Sequence, residues 1–599
     1  MIGIVILLFL YLIVLELSKN TLAGWGIALA VTAVYLILRH RFKKRSEKKR
    51  RGPVLLMALL WLLILGLNYK VTEPPFRCLP AVEAGSPEPT DVIRLSQGEL
   101  TGVYNQDHTA RVYAGIPYAA PPVGDLRFKE PQPAESWEGV RACDHFGPMA
   151  MQQRSSEFYN SLTDLLGLHK FRVSLKDNYR EAMSEDCLYL NVFTPAKDSD
   201  EPLPVLFFIH GGSLMTGQSS YTEYRGEDLA SQGIIVVNFA YRLGVFGYYA
   251  NEALAEESPN GTTGNYGLLD QIAALTWVHD NIAAFGGDPD QITIAGESAG
   301  SSSVNALCVS PLTEGLFVRA IAESSGITAR KPYHTFRQMP DALKMGQDIM
   351  TEMGAEDMEA LRALPADRLV ETGYQNNAMT VDGYAITKMP YLSYLAGENH
   401  EQALLNGFNA KEADAFMLGV KATEENYEEL LRGAFGEYAS EAAALVPAGS
   451  VTRDQKFIID AGGDAKGALL HLYSAAWFTY SHELWSEDVA AQGRPVYEYY
   501  FTKKNQSLSN YHAGEMPYAY GNLWRHPGLY DASDEALSET MQAYWVNFVK
   551  TGDPNGEGLP EWQVRDTGHR QLLELGETVQ MIDDPYQKIY AILDRYQGR

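Results

Sequence analysis

The stretch Gln291-Ile-Thr-Ile-Ala-Gly296-Glu297-Ser298-Ala299-Gly300 decides the reading of this 599-residue chain. An apolar, β-rich run enters a Gly-x-Ser-x-Gly turn, and a segment of small residues leaves it. That order predicts a strand, a sharp strained turn with the serine at its tip, and a helix. Glycines at 296 and 300 lack a Cβ, so strand and helix can pack closely around a turn that holds Ser298 in an unfavourable backbone conformation. Such a turn pushes the hydroxyl into a cleft. It also aims the next amide, that of Ala299, at the place where a negative oxygen would develop. The pattern therefore predicts a nucleophilic serine. A bare Gly-x-Ser-x-Gly also occurs as an ordinary turn, so the rest of the chain has to supply the partners.

Working outward, continuous apolar runs recur at 203–210, 233–241, 317–323 and 495–502. Continuous rather than alternating apolar character suits strands buried on both faces of a largely parallel sheet. Residues 267–285 have helical spacing and stop at Gly286-Gly287. Strands alternating with helices predict an α/β fold with a mostly parallel central sheet flanked by helices. Residues 330–490 read as mostly helical and charged, helical insertions expected to form a cap over the C-terminal edge of the sheet, where such folds place their sites.

A serine hydroxyl is a weak nucleophile at neutral pH and needs a base, for which histidine is suited. In serine enzymes built on this kind of sheet, the acid and then the histidine follow the nucleophile along the chain. Seven histidines lie beyond Ser298: His334, His400, His471, His482, His512, His526 and His569. Spacing does not choose among them. Context favours His512, whose surroundings, Asn510-Tyr-His512-Ala-Gly514-Glu-Met-Pro517, form a loop after the apolar run 495–502; His471 and His482 fall in helical runs. An oxyanion needs a second source of amides. Ile209-His210-Gly211-Gly212-Ser213 ends a buried run with two glycines, which suits amides turned toward a cavity and equally suits a plain turn. This chemistry calls for no metal and no cofactor.

Together these blocks resemble the type-B carboxylesterase/lipase family, α/β-hydrolases that include cholinesterases and bacterial para-nitrobenzyl esterases. The likeness runs from about 96 to 590. Tyr113-Ala-Gly-Ile-Pro-Tyr118 through Arg127-Phe resembles the family's N-terminal block, and Ser184-Glu-Asp-Cys187-Leu-Tyr-Leu-Asn191-Val its second signature. Asn265-Tyr-Gly-Leu-Leu-Asp270-Gln and Phe285-Gly-Gly-Asp-Pro289 lead into the serine turn as in the family, and Trp545 to Asn555 resembles its C-terminal helix. The resemblance implies Ser298 as nucleophile, His512 as base, and the amides of Gly212, Ser213 and Ala299 as the oxyanion hole. Ser213 stands where the family often has a third glycine or alanine. The implied acid is Glu412, in Asn409-Ala-Lys411-Glu412-Ala413-Asp414, a stretch that departs from the family pattern and offers Asp414 as a rival. The family also implies a disulfide between Cys143 and Cys187 that closes a loop. In cholinesterases that loop carries a choline-binding tryptophan; residues 144–186 contain none, which argues against a choline-ester specialist. The expected activity is carboxylic ester hydrolysis. The alternatives are a lipase for longer acyl chains and a catalytically silent adhesion ectodomain, which would lack a triad member.

The N-terminal part is a different material. The formal charge is −26, yet residues 1–70 carry eleven Lys and Arg against two Glu. The strongly acidic remainder excludes nucleic acid as a partner. Three apolar runs near 2–17, 21–38 and 53–68 predict about three transmembrane helices, a membrane anchor rather than a single-run signal peptide. The first is weakened by Glu16. The basic cluster from Arg39 to Arg51 keeps the loop between the second and third runs in the cytoplasm, so the long C-terminal part is expected on the extracytoplasmic side. The reading divides the chain into an anchor (1–70), a proline-rich linker (71–95) and a catalytic domain (96–599), with membrane lipid and a small-molecule ester as partners. Cys308, after the serine turn, reads as a buried thiol.

Overall fold

The computed structural model describes residues 2–45, 51–82, 86–154, 156, 158, 161, 178–453, 459–504, 510–525, 528–566 and 570–599. The chain forms two compact units. One comprises residues 1–78 and 154–182, the other residues 79–153 and 183–599.

The first unit is built on α1 (Ile2–Leu17), α2 (Leu22–Arg45) and α3 (Arg51–Val71). Leu15, Ala28, Tyr35, Trp61 and Leu65 pack between them, with the Tyr35 and Trp61 rings stacked at 5.2 Å. Several polar groups inside are paired, as an apolar bundle favours. Trp61 Nε1 donates to Thr32 Oγ1 at 3.0 Å, Tyr11 to the Leu65 carbonyl at 2.7 Å, and Asn68 Nδ2 to the Gly24 carbonyl at 2.9 Å. Outer faces expose Phe9, Leu29, Val34, Leu55, Leu59 and Leu63. Leu22–Lys44 and Gly52–Val71 are long and apolar enough to cross a bilayer. With 16 residues, α1 rises only about 24 Å, short of the roughly 30 Å hydrocarbon core. The expectation of about three transmembrane helices is thus corrected to two candidates. Of the basic segment, the part up to Arg45 continues α2, since Lys and Arg are good helix formers, and 46–50 lie outside the described residues.

The second unit is organised by an eleven-stranded sheet. Its strands are β1 (Val103–Tyr104), β2 (Ala110–Pro117), β3 (Tyr189–Pro195), β4 (Leu203–Ile209), β5 (Ile235–Phe239), β6 (Gly287–Glu297), β7 (Arg319–Glu323), β8 (Ala403–Asn409), β9 (Val496–Phe501), β10 (Gln571–Leu575) and β11 (Val579–Asp583). Their spatial order is β11-β10-β9-β8-β7-β6-β4-β5-β3-β2-β1. From β5 to β10 every neighbouring pair is parallel, and the antiparallel pairings lie at the two edges. The apolar runs are continuous because the central strands face two cores. Along β4, Val205, Phe207 and Ile209 enter one core, and Leu206 and Phe208 the other. On the first face lie α4 (Tyr266–Asn281) and α5 (Ala299–Val309), through Leu268, Leu275, Val304 and Leu307.

The region 330–490 is not purely helical. It contributes α6 (Lys466–Ser474) and α7 (Tyr480–Ala491), but also β8, which the sequence reading absorbed into the cap. The run Ala-Leu-Leu-Asn-Gly-Phe-Asn is interrupted by two polar residues and a glycine. Burial of Asn406 is made tolerable by its hydrogen bonds to the His482 carbonyl (3.0 Å) and Ser486 Oγ (2.9 Å) on α7, with the His482 ring on its Oδ1. On the second face α8 (Ala532–Thr551) packs through Met541, Trp545 and Phe548.

The disulfide expected between Cys143 and Cys187 is absent; both are buried free thiols. Cys143 is held by backbone hydrogen bonds to Thr101 (2.7 Å) and from Ala114 (2.9 Å), while Cys187 lies among Asp270 and Arg242. Burial pushes the Cys143 thiol up to about 12 and the Cys187 thiol well above its usual range. Cys308 is buried in α5, as expected.

Candidate active site

The serine turn folds as its glycines require. β6 ends at Glu297, Ser298 adopts φ 56° and ψ −126°, and α5 begins at Ala299. A positive φ at a serine is strained, and the flanking hydrogen bonds hold it: Ser298 N–H donates to the Glu323 carbonyl (2.8 Å) and Ser302 N–H to the Ser298 carbonyl (3.0 Å). A Cβ on Gly296 would stand 2.5 Å from the Gly300 carbonyl group, and one on Gly300 2.0 Å from the Ile209 oxygen. Any side chain there would push α5 off the sheet.

His512 lies on the loop after β9, with Nε2 2.8 Å from Ser298 Oγ. Its Nδ1 is 2.5 Å from Glu412 Oε2. Glu412, three residues beyond β8, is fully buried, and its Oε1 accepts from the Asn409 N–H (2.7 Å) and Nδ2 (3.3 Å). Serine, imidazole and carboxyl thus form one hydrogen-bonded line. The rival acid, Asp414, faces Arg453 at 3.6 Å instead. Of the other histidines, His400 bonds the Ser310 carbonyl, His471 stacks on Tyr586, and His482 bonds Asn406. His526 and His569 lie outside the described residues.

The glycine-rich loop after β4 reaches the same serine. A Cβ on Gly211 would lie 2.9 Å from Ser298 Cβ and 2.7 Å from the Glu297 carbonyl oxygen. Gly212, Ser213 and Leu214 all have positive φ (100°, 57° and 58°), and the Gly212 carbonyl accepts from both Met215 and Thr216 at 3.0 Å. Among the described residues the amides of Gly212 and Ser213 donate to no backbone carbonyl. Beneath the loop, His210 stacks on Tyr241 at 4.5 Å, and Tyr241 donates to the His210 carbonyl at 2.8 Å. The loop opens into a cavity of about 590 Å³ that Gly212, Ser213, Phe416 and Phe478 help to line. The last two rings lie against His512, at 5.0 and 4.9 Å.

Three further glutamates surround this line, and the sequence reading gave none of them a role. Glu297 Oε1 sits 3.3 Å from His512 Nε2. Glu515 Oε2 accepts from Asn409 Nδ2 at 2.6 Å, and Glu323 Oε1 from Trp545 Nε1 at 3.2 Å. The available signals were position alone: Glu297 precedes the serine, and Glu515 follows the histidine by three. Burial pushes Glu297 up to about 8, against the pull of His512, and Glu515 up to about 7, with Glu412 adding to it; Glu323 is driven well up by burial and by Glu515. Burial favours neutral His512, but Glu412 and Glu297 outweigh it and hold the imidazole up to about 9.

A protonated His512 cannot accept the Ser298 proton. Activity should therefore rise with pH through an apparent value above the ordinary histidine value of about 6.5. Glu297→Gln removes one of the two carboxyls that hold the imidazolium, and should move this acid limb of kcat/KM down by about one unit. The check is a pH profile of both proteins with one ester. A limb that does not move would show that His512 feels no charge from Glu297.

Residues 89–592 match the family model described as the carboxylesterase family. The chain is 33% identical to fumonisin B1 esterase of Sphingopyxis macrogoltabida, over 84% of this chain and 88% of that protein. It is 32% identical to carboxylesterase 1C of Rattus norvegicus, over 83% and 91%. Among solved structures, a Geobacillus stearothermophilus carboxylesterase superposes with a TM-score of 0.70 at 30% identity, covering 84% of this chain and 100% of that one. A PNB esterase does so with a TM-score of 0.68 at 29% identity, covering 84% and 99%. With a family match over most of its length and an α/β-hydrolase fold, the chain belongs to the carboxylesterase family and is a carboxylic ester hydrolase.

Proposed function

We propose that the protein is a membrane-anchored serine esterase that works through a Ser298–His512–Glu412 triad and an acyl-enzyme. The observation that carries this reading is the unbroken hydrogen-bonded line from Ser298 Oγ through both ring nitrogens of His512 to Glu412. Nε2 of His512 takes the Ser298 proton as Oγ attacks the ester carbonyl carbon. Glu412 fixes the tautomer with hydrogen on Nδ1 and stabilises the imidazolium without taking its proton. The amides of Gly212, Ser213 and Ala299 hold the oxyanion. When the tetrahedral adduct collapses, the ester C–O bond breaks and His512 returns the proton to the leaving alcohol. Water then gives up a proton to His512 as it attacks the acyl carbon; the acyl–Oγ bond breaks, His512 returns the proton to Ser298 Oγ, and the acid leaves.

Residues 1–70 are read as the anchor, 71–95 as a linker and 96–599 as the catalytic domain. With α2 and α3 as a helical hairpin and the basic cluster between them in the cytoplasm, the catalytic domain emerges on the extracytoplasmic side. One experiment tests chemistry and topology together. A membrane-impermeant fluorophosphonate should label intact cells, with the adduct on the Ser298 peptide. Ser298→Ala should abolish the label and lower kcat by roughly 10⁴- to 10⁶-fold. A label that survives Ser298→Ala overturns the triad; a label seen only after lysis overturns the topology.

A further inference from the structure

The cavity that Gly212 and Ser213 help to line holds a titratable side chain that the mechanism above does not use. His334 lines it, T-shaped at 4.9 Å against Phe478, whose ring in turn lies against His512. Its Nε2 is buried and has no hydrogen-bond partner. Leaving a buried ring nitrogen unpaired is costly, and because His334 stands in the cavity wall, a turn of its ring that brings Nε2 to a polar group of a bound ligand recovers that cost. Burial, together with the nearby His512, lowers His334 to about 4, so the ring is neutral at working pH and can take part in one uncharged hydrogen bond through Nε2.

His334 is also held in place on both sides. Tyr333 donates to the Ala434 carbonyl. Thr335, in a strained conformation with φ 60°, donates from Oγ1 to Ser302 Oγ at 2.8 Å, in the first turn of α5, which follows Ser298. A β-branched residue at positive φ is an outlier that persists only where its surroundings over-determine it. The loop therefore fixes the backbone that carries His334 relative to the serine turn. The rest of the cavity fits the same reading: Gln153, Thr216, Gln375 and Asn377 line it, and no Asp, Glu, Lys or Arg does among the described residues.

We propose that His334 is a specificity-determining residue: its Nε2 hydrogen-bonds a hydroxyl or similar neutral polar group on the ester, and the protein prefers uncharged, hydroxyl-bearing esters over purely aliphatic ones. This rests on Ser298 as the nucleophile at this cavity. It differs from an aliphatic lipase, whose cavity rewards chain length, and from a site for a cationic or carboxylate-bearing ester, which a wall without charged side chains would leave unpaired.

The test uses two pairs of esters that differ only by methyl against hydroxyl: ethyl butyrate with ethyl 3-hydroxypropanoate, and propyl butyrate with 2-hydroxyethyl butyrate. Acid release by the full-length protein in detergent is followed by pH-stat. The wild type should favour the hydroxylated member of at least one pair. In that pair His334→Leu should lower kcat/KM for the hydroxylated ester about tenfold, chiefly through KM, and change its aliphatic partner less than twofold. His334→Gln, which keeps a polar group near the Nε2 position, should restore most of the preference. A wild type that turns over both members of each pair alike, or a His334→Leu variant that slows both members equally, overturns the proposal. Fluorophosphonate labelling of each variant separates the two readings: loss of label reports on Ser298, loss of hydroxyl preference with label retained reports on His334.

Discussion

Glu412→Gln should lower kcat/KM by about 10⁴-fold, about 5.5 kcal/mol of transition-state stabilisation, whereas Asp414→Asn should change it less than tenfold. Glutamine has the shape of glutamate, so the fold should survive. Its amide can still accept at Oε1 from the Asn409 N–H, which Glu412 now does at 2.7 Å. That choice puts the NH₂ group opposite His512 Nδ1, where Glu412 Oε2 now stands at 2.5 Å. A donor facing Nδ1 stabilises the tautomer with hydrogen on Nε2, which cannot accept the Ser298 proton. Asp414 instead pairs with Arg453 at 3.6 Å, so its loss bears on the local fold more than on His512. Steady-state kinetics of the two variants decide between the carboxyls. Equal losses, or the larger loss in Asp414→Asn, would remove Glu412 from the triad.

The second large effect is on stability. Arg242→Met should destabilise the catalytic unit by about 3–5 kcal/mol. Arg242 and Asp270 are both buried and bonded at two points, Nε to Oδ2 at 2.8 Å and Nη2 to Oδ1 at 2.7 Å, and the Arg242 N–H adds a third bond at 3.0 Å. Nη1 also donates to the Lys129 carbonyl at 2.7 Å. Even with this partner, burial raises the Asp270 carboxyl above its usual value. Without the guanidinium, Asp270 must either stay charged in an apolar core or take up a proton. Arg242→Met combined with Asp270→Leu removes both charges at similar volume and should recover much of the loss. Urea denaturation midpoints in detergent give the comparison. A single variant within 1 kcal/mol of wild type, or a double variant no better than the single, would show that the pair is not what holds α4 to the strand-end loop.

Legibility in the sequence followed how local each cause was. The serine turn was readable because its pattern is steric and carried by five residues; a Cβ at 296 or 300 would come within 2.0 to 2.5 Å of the turn itself or the adjacent strand. The strands β4, β5, β6, β7 and β9 were readable because burial on both faces leaves a continuous apolar run. β8 was not, because its Asn406 looks like a turn residue until α7 supplies its partners. His512 could be favoured by context, but its choice over six other histidines, and that of Glu412, drew on family resemblance.

The apolar helices, the buried strands and the strained serine were thus determined by the sequence itself, since hydropathy, periodicity and glycine sterics act between near neighbours. The tertiary structure alone decided what meets Ser298. His512 and Glu412 stand 214 and 100 positions along the chain from the atoms they bond, Ser298 Oγ and His512 Nδ1 respectively. The same holds for the shared burial of Glu297, Glu323 and Glu515, for the free, buried thiols of Cys143 and Cys187, and for the buried, unpaired nitrogen of His334. Each depends on which surfaces close over which when the sheet folds. Burial sets the energy of a charge or an unpaired nitrogen, and no spacing along the chain records it.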